Sequence, residues 1–275
     1  MVQSLQGIIN SMVSVLMSVY VNEKPQHLTE CLHSLVGQTM MVDELVLVED
    51  GPLSVELLGV IEQFKSELNI VSVRLDKNQG LAAALNAGLL KCSFDLVVRM
   101  DTDDVSVPDR FEKQIKFMND NPDIAVSSGF VEEWSEDMSK KLDVRCLPSS
   151  HAEILLFSKY RSPMSHPAVI FRKEAVLRVG GYPSLYPEDY PLWCTLLSKG
   201  YKMANLQEVL VRMRVGDGFI SRRGRAFYEG EVKVFRYLAK IGFINRFQLY
   251  LNVVSKAVLR LSPNFVKKLL YKFSR

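Results

Sequence analysis

No apolar run in this 275-residue chain approaches the roughly 18 to 20 residues needed to span a bilayer. The longest candidate, Met12 to Val21, is interrupted by Ser14 and Ser18. The opening MVQSLQGIIN lacks the basic flank and cleavage site of a signal peptide, so a cytoplasmic protein is expected. Cysteine is sparse: Cys31, Cys92, Cys146 and Cys194 lie far apart, with no Cys-x-x-Cys pair. That spacing argues against a zinc site or a disulfide framework and leaves four packing residues. There is no internal repeat and no low-complexity linker. Acid is missing from one region entirely. From Lys233 to Arg275 there are ten lysines and arginines and no aspartate or glutamate, although the whole chain carries only +3. An acidic body with a basic C-terminal segment points toward an anionic surface.

What is present reads first as alternation. Met12 to Val19, Leu45 to Val48, Ile70 to Leu75 and Leu96 to Met100 are apolar runs of the kind expected for strands buried on both faces. Helical patterns separate them: Pro25 to Val36, Val55 to Leu68 and Leu81 to Lys91. This order predicts a parallel sheet covered by helices. Beyond it, helices are expected over Pro108–Asn119, Ser150–Phe157, Lys173–Val179 and Asp189–Lys199, with short strands at Ile124–Ser128 and Val169–Phe171. From Phe227 the pattern is helical to the end, broken near Ser262-Pro263.

In open α/β sheets ligands bind outside the carboxyl ends of the strands. Glu23 follows the first strand, Asp50 the second, and Asp101 with Asp103 the fourth. Gathering acids there is costly unless a cation or hydrogen-bond donors offset them. Magnesium and manganese take such oxygen ligands together with substrate phosphates, and the Asp101-x-Asp103 pair suits either. The competing explanation is a solvated loop, with Asp104 or Ser106 capping the next helix.

The segments VSVLMSVYVNE, LVLVEDGP, KNQGLAAALNAG, LVVRMDTDDVSVPDRFEKQ and GGYPSLYPEDYPLWCTLLSKGY resemble family 2 glycosyltransferases with the GT-A fold. The likeness runs over about residues 12 to 215 and leans toward bacterial enzymes of exopolysaccharide and O-antigen assembly, the amylovoran type included. It implies that Ser18 and Tyr20 lie against a nucleoside and that Asp50 reads the base, often uracil. It implies further that Asp101 sits near the ribose or base and that Asp103 binds the metal, with Glu23 a further nucleotide-site candidate. Asp189, after Glu188, matches the family's catalytic base, whose role is to deprotonate an acceptor hydroxyl. Its alternative is a helix cap. Two departures stand out: Pro52 replaces the usual serine and removes a backbone donor, and Leu85 stands where arginine is common.

His166 reads either as an acceptor contact or as a packed loop histidine, and Trp193 as core. Arg212 and Arg214 read as diphosphate ligands or as a basic strand face, and the run Arg222-Arg223-Gly224-Arg225 as a cleft lining or flap. Val254, Ala257, Val258 and Leu261, then Phe265, Val266, Leu269 and Leu270, alternate with basic residues at helical spacing. Such a helix suits an anionic membrane surface, or packs on the body with its charges exposed.

The expectation is thus a GT-A α/β catalytic domain over residues 1–220 with a basic helical extension over 221–275. It is expected to be an inverting, metal-dependent hexosyltransferase using a nucleotide sugar, UDP-linked by resemblance. The expected acceptor is a polyprenyl-diphosphate-linked glycan at the inner face of the bacterial plasma membrane. Nucleic-acid binding is not expected, because no recognised module is present. The alternatives are a non-catalytic carbohydrate-binding or scaffold protein, or a nucleotidyltransferase. The latter is disfavoured because Ser18-Val19-Tyr20-Val21-Asn22 is not a glycine-rich phosphate loop.

Overall fold

The computed structural model describes residues 12–216 and 224–262. Seven elements open the chain: β1 (Val13–Val19), α1 (Pro25–Val36), β2 (Glu44–Glu49), α2 (Val55–Phe64), β3 (Ile70–Arg74), α3 (Leu81–Leu89) and β4 (Leu96–Arg99). β1 lies between β2 and β4, parallel to both, and β3 extends β2 in parallel. Alternation along β1 divides the core. Val13, Val15 and Met17 join Leu28, Leu32, Leu57 and Phe111 on one face of the sheet, whereas Leu16 joins Ala84, Leu85 and Trp193 on the other. α3 approaches the second face closely because Gly88 carries no side chain: a Cβ there would lie 2.5 Å from Leu16 Cδ1 and 2.6 Å from Val48 Cγ2.

The rest of the sheet is mixed. β5 (Val105–Ser106), α4 (Arg110–Asp120), β6 (Ile124–Ser135), β7 (Lys141–Arg145), α5 (His151–Phe157), β8 (Ile170–Arg172), α6 (Lys173–Arg178), α7 (Asp189–Ser198) and β9 (Lys202–Val215) follow. Among the described residues the strand order is β3-β2-β1-β4-β8-β6-β9-β5, with β7 paired to β6. β8 runs antiparallel to β4 and β6, and β9 parallel to β6. β6 is more than twice the expected length, and the fourteen-residue β9 is anticipated only in the strand-face reading of Arg212 and Arg214.

Two helices close the described chain: α8 (Arg225–Lys240) and α9 (Arg246–Leu261). The helical pattern from Phe227 is therefore broken at 241–245, a division absent from the sequence expectation. Val234, Phe235 and Leu238 of α8 pack on Tyr190 and Cys194 of α7. Among the described residues no helix is long and apolar enough to cross a membrane. Arg222, Arg223, Phe265, Val266, Leu269 and Leu270 lie outside the described residues.

Candidate active site

Because β1, β2 and β4 run in parallel, the residues that follow them emerge at one edge of the sheet. Ser18, Tyr20, Glu23, Asp50, Asp101 and Asp103 all line one cleft of about 950 Å³ there. Asn78, Gly80, Tyr186 and Arg214 complete much of its wall. Asp189 is not part of that lining.

Asp50 is buried, and both its oxygens are already engaged. Oδ1 accepts the Gln79 N–H at 2.7 Å and Oδ2 the Gly80 N–H at 3.0 Å. The carboxylate thereby fastens the end of β2 to the loop that opens α3, with a further lone pair remaining on each oxygen. Gly51 permits this turn: its φ is +89°, and a Cβ would fall 2.6 Å from the Asn78 nitrogen. Glu23 accepts the Lys24 N–H at 2.8 Å and the Thr102 hydroxyl, tying the entry of α1 to the acidic turn 101–104.

That turn is gripped from both sides. β5 pairs with β9, Val105 opposite Arg212, which carries Arg214 alongside the aspartates. The Arg214 N–H donates to Asp104 Oδ1 at 3.0 Å, its Nε to the Asp103 carbonyl at 2.7 Å and its Nη1 to the Glu136 carbonyl at 2.7 Å. Nη2 pairs with Glu30. Arg214 lines the cleft, but these bonds commit its guanidinium to holding the turn. Arg212 lies 3.7 Å from Glu132 and over the Trp134 ring. Asp104 and Ser106 do not cap the following helix: Ser106 N–H donates to the Ser34 hydroxyl, and α4 has no side-chain cap.

From beneath, Arg99 of β4, only 1 % exposed, pairs with both oxygens of Asp101. Arg110 lies beside it, its Nη2 donating to the Arg99 carbonyl at 2.8 Å, and burial lowers its guanidinium to about 9. Buried Cys31 donates its thiol to the Asp101 carbonyl at 3.2 Å.

Carboxylate oxygens of Asp101, Asp103 and Asp104 lie within 4.8 Å of one another. Burial first, then the charges of Asp101 and Glu23, push Asp103 up to about 7. Burial, then the charges of Asp103 and Asp101, push Asp104 well above its ordinary value, and its Oδ2 has no hydrogen-bond partner. Crowded oxygen-only donors with unmet acceptor capacity fit a hard divalent cation. Asp101 is partly neutralised by Arg99, and Asp104 is buried behind the cleft wall with Oδ1 held by the Arg214 N–H, which leaves Asp103, in the wall itself, as the principal ligand candidate.

A second cluster lies at the start of α7. Asp189 occupies its first turn and accepts the Ser162 hydroxyl at 3.1 Å. Burial raises its pKa, opposed by that hydrogen bond and by the charge of Arg99. Glu188, pushed to about 7 by burial and then by Asp189, sits 3.7 Å from His166 Nδ1. The His166 ring also meets the Tyr182 hydroxyl at 3.2 Å, and burial keeps it well below its usual value, hence neutral. Trp193 is fully buried against both rings, as expected of a core residue. Arg99 influences Asp101, Glu188, Asp189 and His166 alike. It was not among the expected site residues, although a cation inside an apolar strand two residues before an acid was a usable signal.

The pattern of the family described as Glycosyl transferase family 2 matches residues 14–178. The chain is 42% identical to the amylovoran biosynthesis glycosyltransferase AmsE of Erwinia amylovora, over 96% of this chain and 99% of that protein. It is 39% identical to the UDP-Gal:alpha-D-GlcNAc-diphosphoundecaprenol beta-1,3-galactosyltransferase of Escherichia coli, over 94% of each. The mannosyltransferase PcManGT of Pyrobaculum calidifontis, solved with GDP-Man and Mn2+, superposes with a TM-score of 0.64. That match is 17% identical and covers 95% of this chain and 79% of that one. The structural likeness speaks to the GT-A fold, and the two sequence relatives speak to descent. The chain belongs to glycosyl transferase family 2 and is a glycosyltransferase.

Proposed function

We propose that the protein transfers a hexosyl unit from a UDP-sugar, with inversion, onto a polyprenyl-diphosphate-linked saccharide during assembly of a bacterial surface polysaccharide. The observation that carries this reading is the single cleft lined by Ser18, Tyr20, Glu23, Asp50, Asp101 and Asp103. The uridine donor and lipid-linked acceptor are supported by the name of the E. coli relative. The PcManGT complex supports a manganese-type cation while carrying guanosine.

In this reading Asp103, aided by Asp101, would hold a divalent cation, which would supply positive charge to offset that of the diphosphate. Ser18 and Tyr20 pack on the nucleoside. Asp50 sets the loop that meets the base and offers its remaining lone pairs to it. Asp189 takes the proton of the acceptor hydroxyl as that oxygen bonds to the anomeric carbon. The bond from that carbon to the diphosphate breaks on the opposite side, and UDP leaves with the electron pair. Residues 1–220 form the catalytic unit, and 221–275 bring it to the anionic inner face of the plasma membrane.

Calorimetric titration of UDP and then GDP, with manganese and again with EDTA, tests the donor site. The reading expects metal-dependent UDP binding that Asp103→Ala weakens at least tenfold. Tight GDP binding in place of UDP overturns the base assignment. Binding of neither by folded protein overturns the donor site altogether. Transfer onto a soluble acceptor, with none onto a lipid-diphosphate-linked one, overturns the acceptor.

A further inference from the structure

Six large apolar side chains stand on the outer face of α9: Phe247, Tyr250, Leu251, Val254, Val258 and Leu261, each between 42 and 68% exposed. Their spacing of three, four and seven places them in one stripe along the helix. On the inward face Leu249 packs on the apolar cluster of α7 and α8, but the two buried residues of the helix, Asn252 and Arg260, are polar. Asn252 donates to the Lys159 carbonyl at 2.9 Å, and Arg260 forms two bonds to Glu231 at 2.8 and 3.0 Å. Lys256 adds a contact to Glu231 at 3.6 Å. The helix is thus inverted relative to an ordinary surface helix. Rotating the stripe inward would strand Arg260 and Glu231 without each other, a strongly destabilising change. Two of the cations expected to face lipid, Lys256 and Arg260, are instead the anchors that point the stripe outward.

Charge identifies what covers the stripe. Lys233, Arg236 and Lys240 of α8 and Arg246 of α9 are exposed, and no acid occurs anywhere from Lys233 to Arg275. A second copy docking through the same face would bring the same cations against them. A bilayer with anionic headgroups brings the opposite sign and an apolar interior together.

We infer that the Phe247–Leu261 stripe of α9 inserts into the headgroup and acyl boundary of an anionic membrane, with the exposed α8 and α9 cations at the phosphates. The inference rests on the proposed membrane-borne acceptor and gives that reading its contact surface. A chain of packed groups joins the stripe to the cleft. The Arg260 guanidinium lies 4.7 Å over the Phe227 ring, and Phe227 meets Tyr186 edge-on at 5.6 Å. Tyr186 is part of the cleft wall. Seating α9 in the bilayer therefore fixes the height of the cleft above the headgroups, where a lipid-borne diphosphate sugar is presented.

The test is flotation of the full chain with vesicles of phosphatidylglycerol and phosphatidylcholine, and with phosphatidylcholine alone. Val254→Asp combined with Val258→Asp alters only exposed positions. Wild type is expected to float with the anionic vesicles, and the double variant to lose about tenfold in bound fraction. UDP binding and transfer to a soluble acceptor are expected to be unchanged. A solvatochromic dye on Val254→Cys, in a Cys146→Ser background, is expected to shift blue only when anionic vesicles are added. Equal flotation of the variant and wild type overturns the inference, as does failure of wild type to float. So does a dye already blue-shifted without lipid, or a dimer in sedimentation that the double variant disperses; each shows the stripe covered by this chain or its copy. Stripe-dependent flotation in a protein that transfers sugar to a soluble acceptor but to no lipid-linked one upholds the docking face and overturns only the membrane-borne acceptor on which the inference rests.

Discussion

Arg99 and Asp101 form a two-pronged ion pair that crosses from the buried face of β4 to the lip of the cleft. Asp101 is a third exposed while Arg99 is almost wholly enclosed, so the pair fixes a cleft residue from inside the core. Arg99→Met is expected to destabilise the fold by about 3 kcal/mol, because a buried pair broken on one side leaves its partner uncompensated. Arg99→Lys is expected to lose about half as much, since a point charge cannot make both bonds. Urea unfolding measures both. A double-mutant cycle with Asp101→Asn should return a coupling of about 1 to 3 kcal/mol, and additivity would show that the pair does not act as one unit.

Asp189→Asn is expected to lower kcat by about 10²- to 10⁴-fold, the usual worth of a general base, and to leave UDP affinity intact. The base works deprotonated, and burial raises its pKa. Activity should therefore fall on the acid side at a pH above the ordinary aspartate range. The Ser162 hydroxyl stabilises the charged form, so Ser162→Ala should move that limb further up. A pH profile of kcat/KM reads both effects, and a downward move would contradict the assignment.

Glu188 provides a stability test with a definite sign. Its folded value is about 7, against 4.5 for the free side chain. Between those values the folded protein holds a proton that the unfolded chain has released. Stability therefore falls as pH rises through the window, and the loss is complete above 7. Glu188→Gln removes this penalty. Thermal unfolding should show a gain on the order of 2 kcal/mol near pH 8 that vanishes near pH 4.

Gly51→Ala should destabilise the protein by about 2 kcal/mol or more, because it forces a side chain into a left-handed turn and against the Asn78 nitrogen. It should also loosen the bonds from Asp50 to the loop before α3 and weaken UDP binding. Melting temperature and calorimetry together separate these effects, and unchanged UDP affinity in a destabilised protein would remove the loop from the donor site.

Much of the first half was legible in the sequence because β1, β2 and β4 are enclosed on both faces and so read as unbroken apolar runs. Their carboxyl ends then located Asp50, Asp101 and Asp103 without further help. The second half was harder for a physical reason. β9 carries Gln207, Glu208, Arg212 and Arg214 among its apolar residues, since it lies toward one side of the sheet, near the short β5, and its polar positions meet loops. Arg214 in that strand invited a phosphate-binding role, but its guanidinium makes three bonds, to the Asp103 carbonyl, the Glu136 carbonyl and Glu30. α9 was legible only in part. Periodicity reports that a helix has two faces, but which face turns inward depends on Glu231, a partner on another helix.

The thiol of Cys31 is enclosed beneath the acidic turn and donates to the backbone of Asp101. Burial and the nearby carboxylates hold it in the unreactive thiol form. It can meet an alkylating reagent only when the turn lifts away from α1. Alkylation at this one sulfur would therefore serve as a clock for exposure of the acidic turn, read without a probe added to the cleft.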